Sequence, residues 1–242
     1  MKIALLCLFI SLNMVSNGYC AGAAKDYTPA EIIFMLQSGD EKTQYEAARA
    51  LSDRNGRVKE KYKTIEIKNA LFNILSKKMK PTDSFFNEHP LPVSLLLPFG
   101  ILGMMGDFQE IRALPYLLAN IKSGGPITVS LARMGEPAVK PILDKFQNSA
   151  DEKGAALSYF RVVFSTKTPT IITERGVKIS NPYTETYEPK GAIKEEIRSA
   201  LKEQLDNPNS AFVFSVIGVL QLIGDPKDKK LLDDIEPAPA DD

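Results

Sequence analysis

Apolar residues recur along this chain at helical spacing, in blocks separated by glycine, proline and short polar turns. Blocks at 29–38, 41–54, 59–79, 92–105, 109–122, 127–134, 137–147, 152–164, 191–205, 210–223 and 226–235 each read as a helix. In 41–54 the buried side is expected to carry Ala47, Ala48 and Leu51, and in 59–79 Ile65, Leu71, Ile74 and Leu75. Thr28 stands where the first helix needs an N-cap, Gly39-Asp40 turns into the second, and 81–90 reads as a loop.

Three of the turns share one pattern. Gly106-Asp107, Gly135-Glu136 and Gly224-Asp225 each close an apolar stretch. A leucine precedes each glycine by four residues (Leu102, Leu131, Leu220), and Met105, Met134 or Ile223 stands directly before it. Another leucine follows eight residues on: Leu114, Leu143 and Leu232. Glycine can adopt the left-handed conformation that ends a helix, and the acidic residue can cap the next one and oppose its dipole. Pro137 and Pro226 suit a first turn, where a missing N–H costs nothing. Gly106 and Gly135 are 29 residues apart, and Gly135 and Gly224 are 89 apart, close to three such periods. The expected unit is helix, tight turn, helix, repeated with degenerate copies.

One stretch breaks the periodicity. Between Lys167 and Lys190, Thr170-Ile171-Ile172-Thr173 and Val177-Lys178-Ile179-Ser180 are β-prone, and Arg175-Gly176 can turn between them. A short β-hairpin inserted at 168–189 is the expectation. The tail, 236–242, is rich in Pro, Ala and Asp and is expected to be disordered.

The run Leu131-Ala132-Arg133-Met134-Gly135-Glu136-Pro137-Ala138-Val139-Lys140-Pro141-Ile142-Leu143 resembles HEAT repeats, in particular the short bacterial class also found in phycobilin lyases. Ile223-Gly224-Asp225-Pro226 and Met105-Gly106-Asp107 repeat its turn. The likeness is clearest over 91–164 and extends to 29–79 and 191–235. It implies an all-α fold, an α-solenoid of stacked antiparallel helix pairs across 24–235. Such repeats mostly act as binding scaffolds, so the resemblance speaks to fold and not to one function. Lyase activity is not carried over, because no domain-wide lyase signature accompanies the turn. By resemblance the helices at 41–54, 92–105, 127–134, 152–164 and 210–223 would line a concave surface. Arg49, Arg133, Tyr159 and Arg161 are its candidate exposed contacts. From the insertion, Arg175, Tyr183 and Tyr187 supply residue types enriched at interface hot spots.

The first residues add a compartment. Lys2 precedes an apolar run over 3–12 that is too short to span a bilayer, and Ala21-Gly22-Ala23 has the small–x–small form of a signal-peptidase site. Residues 1–23 therefore read as a signal peptide, with a periplasmic or secreted mature chain starting near Ala24. Tyr19 is bulky for a lipoprotein signal at Cys20. Both cysteines, Cys7 and Cys20, would leave with the leader, which removes any thiol nucleophile or thiolate metal site. Lys+Arg and Asp+Glu both count 30, so no basic excess exists to neutralise nucleic-acid phosphates. The apolar run 91–105 carries Pro92 and Pro98 and is too short for a membrane helix.

Catalytic equipment is not legible. His89, the only histidine, sits in Asn87-Glu88-His89-Pro90, near Asp83 and Glu88 but with no second soft ligand for a metal. Adjacent carboxylates such as Glu195-Glu196 and Asp233-Asp234 diverge on a helix by about 100° and cannot share one substrate atom. Gly100, Gly103 and Gly106 lack the lysine and the preceding strand of a phosphate loop, and close helix packing explains Gly100 and Gly103 better. Gly124-Gly125 before Pro126 reads as a turn, and Asp225-Pro226-Lys227-Asp228 lacks the ligand alternation of a calcium loop. The sequence thus points to a binding scaffold with a protein or peptide partner, without cofactor, metal or enzymatic role. The rival classes are a permanent part of an envelope assembly, an enzyme whose site no motif reveals, and an anchored protein that keeps its leader. N-terminal sequencing of the exported protein is expected to begin near Ala24, and a chain still starting at Met1 would select the anchored form.

Overall fold

The computed structural model describes residues 26–53, 57–84, 93–165, 171–172, 178–179 and 186–228, and over them the chain is mostly helical. The helices are α1 (Pro29–Gln37), α2 (Glu41–Leu51), α3 (Ile65–Lys78), α4 (Val93–Met105), α5 (Leu114–Ala119), α6 (Gly125–Met134), α7 (Glu136–Asn148), α8 (Lys153–Phe164), α9 (Gly191–Lys202) and α10 (Ser210–Ile223). Short 3-10 turns lie at Glu60–Tyr62, Ile111–Ala113, Ile121–Ser123 and Pro226–Asp228. Within the expected insertion, β1 (Ile171–Ile172) pairs antiparallel with β2 (Lys178–Ile179), Ile171 opposite Ile179. The leader, His89 and the C-terminal tail lie outside the described residues.

Local chemistry sets the helix starts. Thr28 and Glu31 form a reciprocal capping box, with the Glu31 carboxylate accepting from the Thr28 N–H at 2.7 Å. Asp40, Thr64 and Asn209 cap α2, α3 and α10 by accepting from backbone N–H groups three residues on.

The main packing contacts sort the helices into two series. Each odd-numbered helix packs on the even-numbered helix that follows it. In the even series α2 packs on α4, α4 on α6, α6 on α8 and α8 on α10. In the odd series α1 packs on α3, α5 on α7 and α7 on α9. The step from α3 to α5 is made by side chains: Phe72 meets Tyr116 edge-on at 6.2 Å, and the Arg112 guanidinium lies 4.4 Å from the Phe72 ring centre. From α4 onward the helices of the even series touch neighbours on several sides and are correspondingly apolar, whereas α2, near the start of the described chain, stays polar on its outer side. In α6, Ile127, Thr128, Ser130, Leu131, Ala132, Arg133 and Met134 are all buried. The result is one continuous core from Ile32 to Ile223. Each fully buried Leu, Ile or Phe contributes about 1.5–3 kcal/mol relative to exposure. Phe146 of α7 ties three helices together, edge-on to Phe160 of α8 at 5.5 Å and stacked on Phe212 of α10 at 6.5 Å.

The repeated leucines Leu102, Leu131 and Leu220 are fully buried, as is Leu143. Their glycines do different work. Gly224 ends α10 in the left-handed conformation (φ 65°, ψ 33°), its N–H donating to the Leu220 carbonyl. Gly135 lies at φ 83°, ψ −149°, a region open essentially to glycine alone. Gly106 has no such backbone demand. A Cβ there would sit 2.1 Å from the Ser130 carbonyl oxygen, so this glycine is required by close approach of α6. Its N–H donates to Ser130 Oγ at 2.8 Å, and that hydroxyl donates to the Leu102 carbonyl at 2.8 Å.

Several expectations are corrected. The 109–122 block is three pieces, because Pro115 cannot donate in a continuous ladder and the Asn120 side chain takes the Tyr116 carbonyl (2.8 Å). The 59–79 block is split at Lys63-Thr64, where Thr64 caps a fresh helix, and Ile65, expected inward, is exposed. Helix α2 stops at Leu51 because Ser52 turns to pair with Val58. Gly103 does pack closely, since a Cβ added there would come within 3.2 Å of Pro126 Cβ, but Gly100 faces open space.

Gly106→Ala is expected to destabilise the protein by about 3 kcal/mol, since backbone cannot yield as a side chain can. Gly154→Ala in α8 meets nothing within 4 Å and should stabilise by roughly 0.5–1 kcal/mol. Urea unfolding followed by circular dichroism reads both, and equal effects would refute the assignment of Gly106 to close packing.

Candidate functional site

The turn that follows α4 does not lead straight into a helix. Gly106 docks on Ser130, and Asp107 is thereby directed inward, its side chain 1% exposed. Asp107 Oδ2 accepts from the Val58 N–H at 2.8 Å, and Oδ1 lies 3.2 Å from Arg133 Nη1. Arg57 approaches the same carboxylate at 4.0 Å. One buried carboxylate thus joins the segment after α2, the end of α4 and the last turn of α6. Two residues on, Gln109 is held at φ 48°, the left-handed region that a side chain rarely adopts.

The last turn of α6 and the first of α7 meet at Gly135. The strand of chain returning from the insertion lies against this junction: the Tyr187 N–H donates to the Ala132 carbonyl at 3.2 Å. Gly135 is close to the Tyr187 side chain: an added Cβ would come within 3.8 Å of its Cβ and 3.9 Å of its Cγ. Between these parts opens a cleft of about 520 Å³, lined by Gln109, Ile111, Arg133, Met134, Gly135, Glu136, Pro137, Thr186 and Tyr187. Ile111 is half exposed there, at 51%. Arg133 is charge-balanced by Asp107, whereas Glu136, exposed in the first turn of α7, makes no ion pair among the described residues. The cleft therefore combines an apolar floor, an aromatic wall, an amide and one carboxylate.

A second groove, about 720 Å³, lies between the end of α1, the start of α2 and α3. Glu66, Asn69, Asn73 and Lys77 of α3 line it, and the Gln44 amide closes one end by donating to the Leu36 and Ser38 carbonyls.

The candidate residues fall into three groups. Arg49 and Arg161 are exposed. Arg133 and Tyr159, expected to be exposed, are buried: α6 and α8 are each enclosed by neighbours of the even series, which leaves only narrow polar stripes outside. Arg175 and Tyr183 lie outside the described residues. The structure brings Arg133 and Tyr187 together in the 520 Å³ cleft, with Tyr159 near enough for electrostatic coupling to Tyr187. Burial pushes the Tyr159 phenol well above its ordinary range, and its hydroxyl has no hydrogen-bond partner among the described residues.

The acidic residues of the repeated turn also differ from expectation. Only Glu136 stands in a helix first turn. Asp225 lies 3.6 Å from Arg198, beside Asp228, which is fully buried between Arg198 and Lys202. The Arg198 guanidinium, bonded to it at 2.6 Å through Nη2, holds the Asp228 carboxyl below the usual carboxylate range, aided by Lys202. In the same way Arg112 holds the buried Glu110 carboxyl low. These clusters fasten chain segments, and none of their charged side chains lines either of the two clefts described above. Gln109 and Ile111, which line the cleft, and Asp107, which holds Arg133 beside it, were not anticipated. A signal existed for Asp107: its Gly-Asp is the one of the three turns followed by Phe108 and not by an early proline, so no helix begins there. Among the described residues no group of three His, Cys, Asp or Glu side chains could hold a metal, and no helix is long and apolar enough to cross a membrane.

No protein-family model matches this chain, and neither does any curated protein or solved structure.

Asp107→Asn is expected to cost ~3–5 kcal/mol, because Arg133 would keep its charge while buried without a counter-ion. The double variant Asp107→Leu/Arg133→Leu should recover most of that loss, short of the Val58 hydrogen bond. Additive losses in a double-mutant cycle by denaturant unfolding would rule out coupling between the two charges.

Proposed function

We propose that this chain is an exported HEAT-like α-solenoid that binds a protein or peptide partner in the bacterial periplasm or envelope. The observation that supports this is the serial packing of α2, α4, α6, α8 and α10, each helix set against the next of its series. Arrays built this way bury their cores between neighbours and leave an extended side for recognition. The leader at 1–23 supports export.

The partner's contact is assigned to the cleft at the α6–α7 turn. Tyr187 supports the choice, because it brings the end of the 168–189 insertion onto the array at that point. Exposed Ile111 and Tyr187 together offer the apolar and aromatic surface that dominates hot spots. In this reading the end of the insertion, Thr186 and Tyr187, is a wall of the binding site.

A photo-reactive residue placed at Ile111 is expected to give one discrete cross-linked adduct in the native envelope, while the same residue at Phe34 on α1 gives none. Removing 168–189 should lower recovery of that adduct at least about tenfold, the effect of losing one hot-spot side chain. Preserved fold and undiminished adduct after the deletion would discard the insertion's role. Absence of any adduct at Ile111 would discard the cleft as the partner's site.

A further inference from the structure

The composition of the α6–α7 cleft says more about what enters it, and the inference rests on the scaffold reading above. Its charges can be counted group by group. Arg133 lines the cleft, but its guanidinium is committed to Asp107, 3.2 Å away and buried. The two helix ends at the cleft have opposite signs. The C-terminal end of α6 carries partial negative charge and the N-terminal end of α7 partial positive charge, so their fields largely cancel. What remains is the Glu136 carboxylate, exposed, lining the cleft and without an ion pair among the described residues. Among the described residues that line the cleft, an anionic ligand would meet a like charge and no uncommitted cation. A purely apolar ligand would strand Glu136 and the Gln109 amide.

We infer that the cleft receives a cationic side chain from the partner polypeptide, arginine in preference to lysine. The guanidinium would lie against Tyr187, where the ring's negative face attracts a cation, and would ion-pair with Glu136. The Gln109 side chain supplies a carbonyl acceptor for a guanidinium N–H. Ile111, Met134 and Pro137 give the methylene stem an apolar floor, as long cationic side chains require. A volume of about 520 Å³ accommodates one such side chain with its flanking peptide groups. Gly135 supports this arrangement, because its glycine-only backbone conformation turns the chain from α6 into α7 beside Tyr187.

The test uses the whole mature chain, labelled with nitrogen-15, and N-acetylargininamide as probe. Its neutral isostere, N-acetylcitrullinamide, is the control. Addition of the arginine probe is expected to shift the amide resonances of Gly135, Glu136, Thr186 and Tyr187 saturably, at millimolar concentration, with citrulline giving none. Glu136→Gln is conservative at an exposed first-turn position and should weaken the arginine response several-fold, by about fivefold at low salt and less as salt rises. Tyr187→Leu keeps bulk over Gly135 and should weaken it by a similar factor. Equal shifts from citrulline, shifts elsewhere on the molecule, or an unchanged response in a folded Glu136→Gln variant would each overturn the inference. If the probe fails while the Ile111 cross-link forms, the cleft's cation preference falls and the scaffold stands. If the probe binds while no cross-link forms, the cation site stands and the cleft falls as the partner's contact.

Discussion

The geometry of the whole central region depends on one close approach, the end of α4 against the backbone of α6 at Gly106 and Ser130. No side chain fits between them. Because the two helices come so near, the Ser130 hydroxyl can receive the Gly106 N–H and return a proton to the Leu102 carbonyl, satisfying two groups at a buried helix end. The next residue, Asp107, has nowhere to point but inward. It meets Arg133 on the same turn of α6 and the backbone of Val58. The position of α6 then fixes where Gly135 turns the chain, and so where the cleft opens. Local backbone contact thus propagates outward into site geometry through a series of neighbours, each with little room to move.

How much of this could be read from the residues depends on whether the cause was local. Helix α10 was legible to the residue, because Asn209 caps its start and Gly224 its end, both through bonds to residues within four positions. Gly135 was legible as a turn for the same reason. The role of Gly106 was not, because the same residue type serves conformational freedom in one turn and closeness in another. Only the partner, Ser130, decides between them, and it lies 24 positions away. The break in 109–122 was readable in principle: Pro115 suits the first turn of a fresh helix, where it stands in α5, and the apolar period on both sides hid it.

Two of the candidate contacts, Arg133 and Tyr159, lie inside for a related reason. Helical periodicity finds one buried face, yet α8 has more than one. Ala156, Leu157, Tyr159, Phe160, Val162, Val163 and Phe164 are buried, and the exposed remainder is the stripe through Ser158 and Arg161. A helix placed between two neighbours of its own series and one of the other buries most of its circumference. Polar residues then fall inside, and Tyr159 and Arg133 are two of them. Their polarity suggested surface, but the packing order had already assigned them to the interior.

Arg133 and Asp107 also bear on why a buried charge is kept at all. An apolar pair of similar volume would often be as stable or more so, because the ions lose their hydration. Stability is therefore a poor account of their presence. Direction is a better one. An apolar contact tolerates sliding, whereas a carboxylate that must face a guanidinium and a backbone N–H permits one register between three chain segments. Where neighbouring helices present similar faces of Leu, Ile and Ala, alternative registers compete with the native one. A single buried ion pair at the centre excludes them, and the cleft a few ångströms away inherits the fixed geometry.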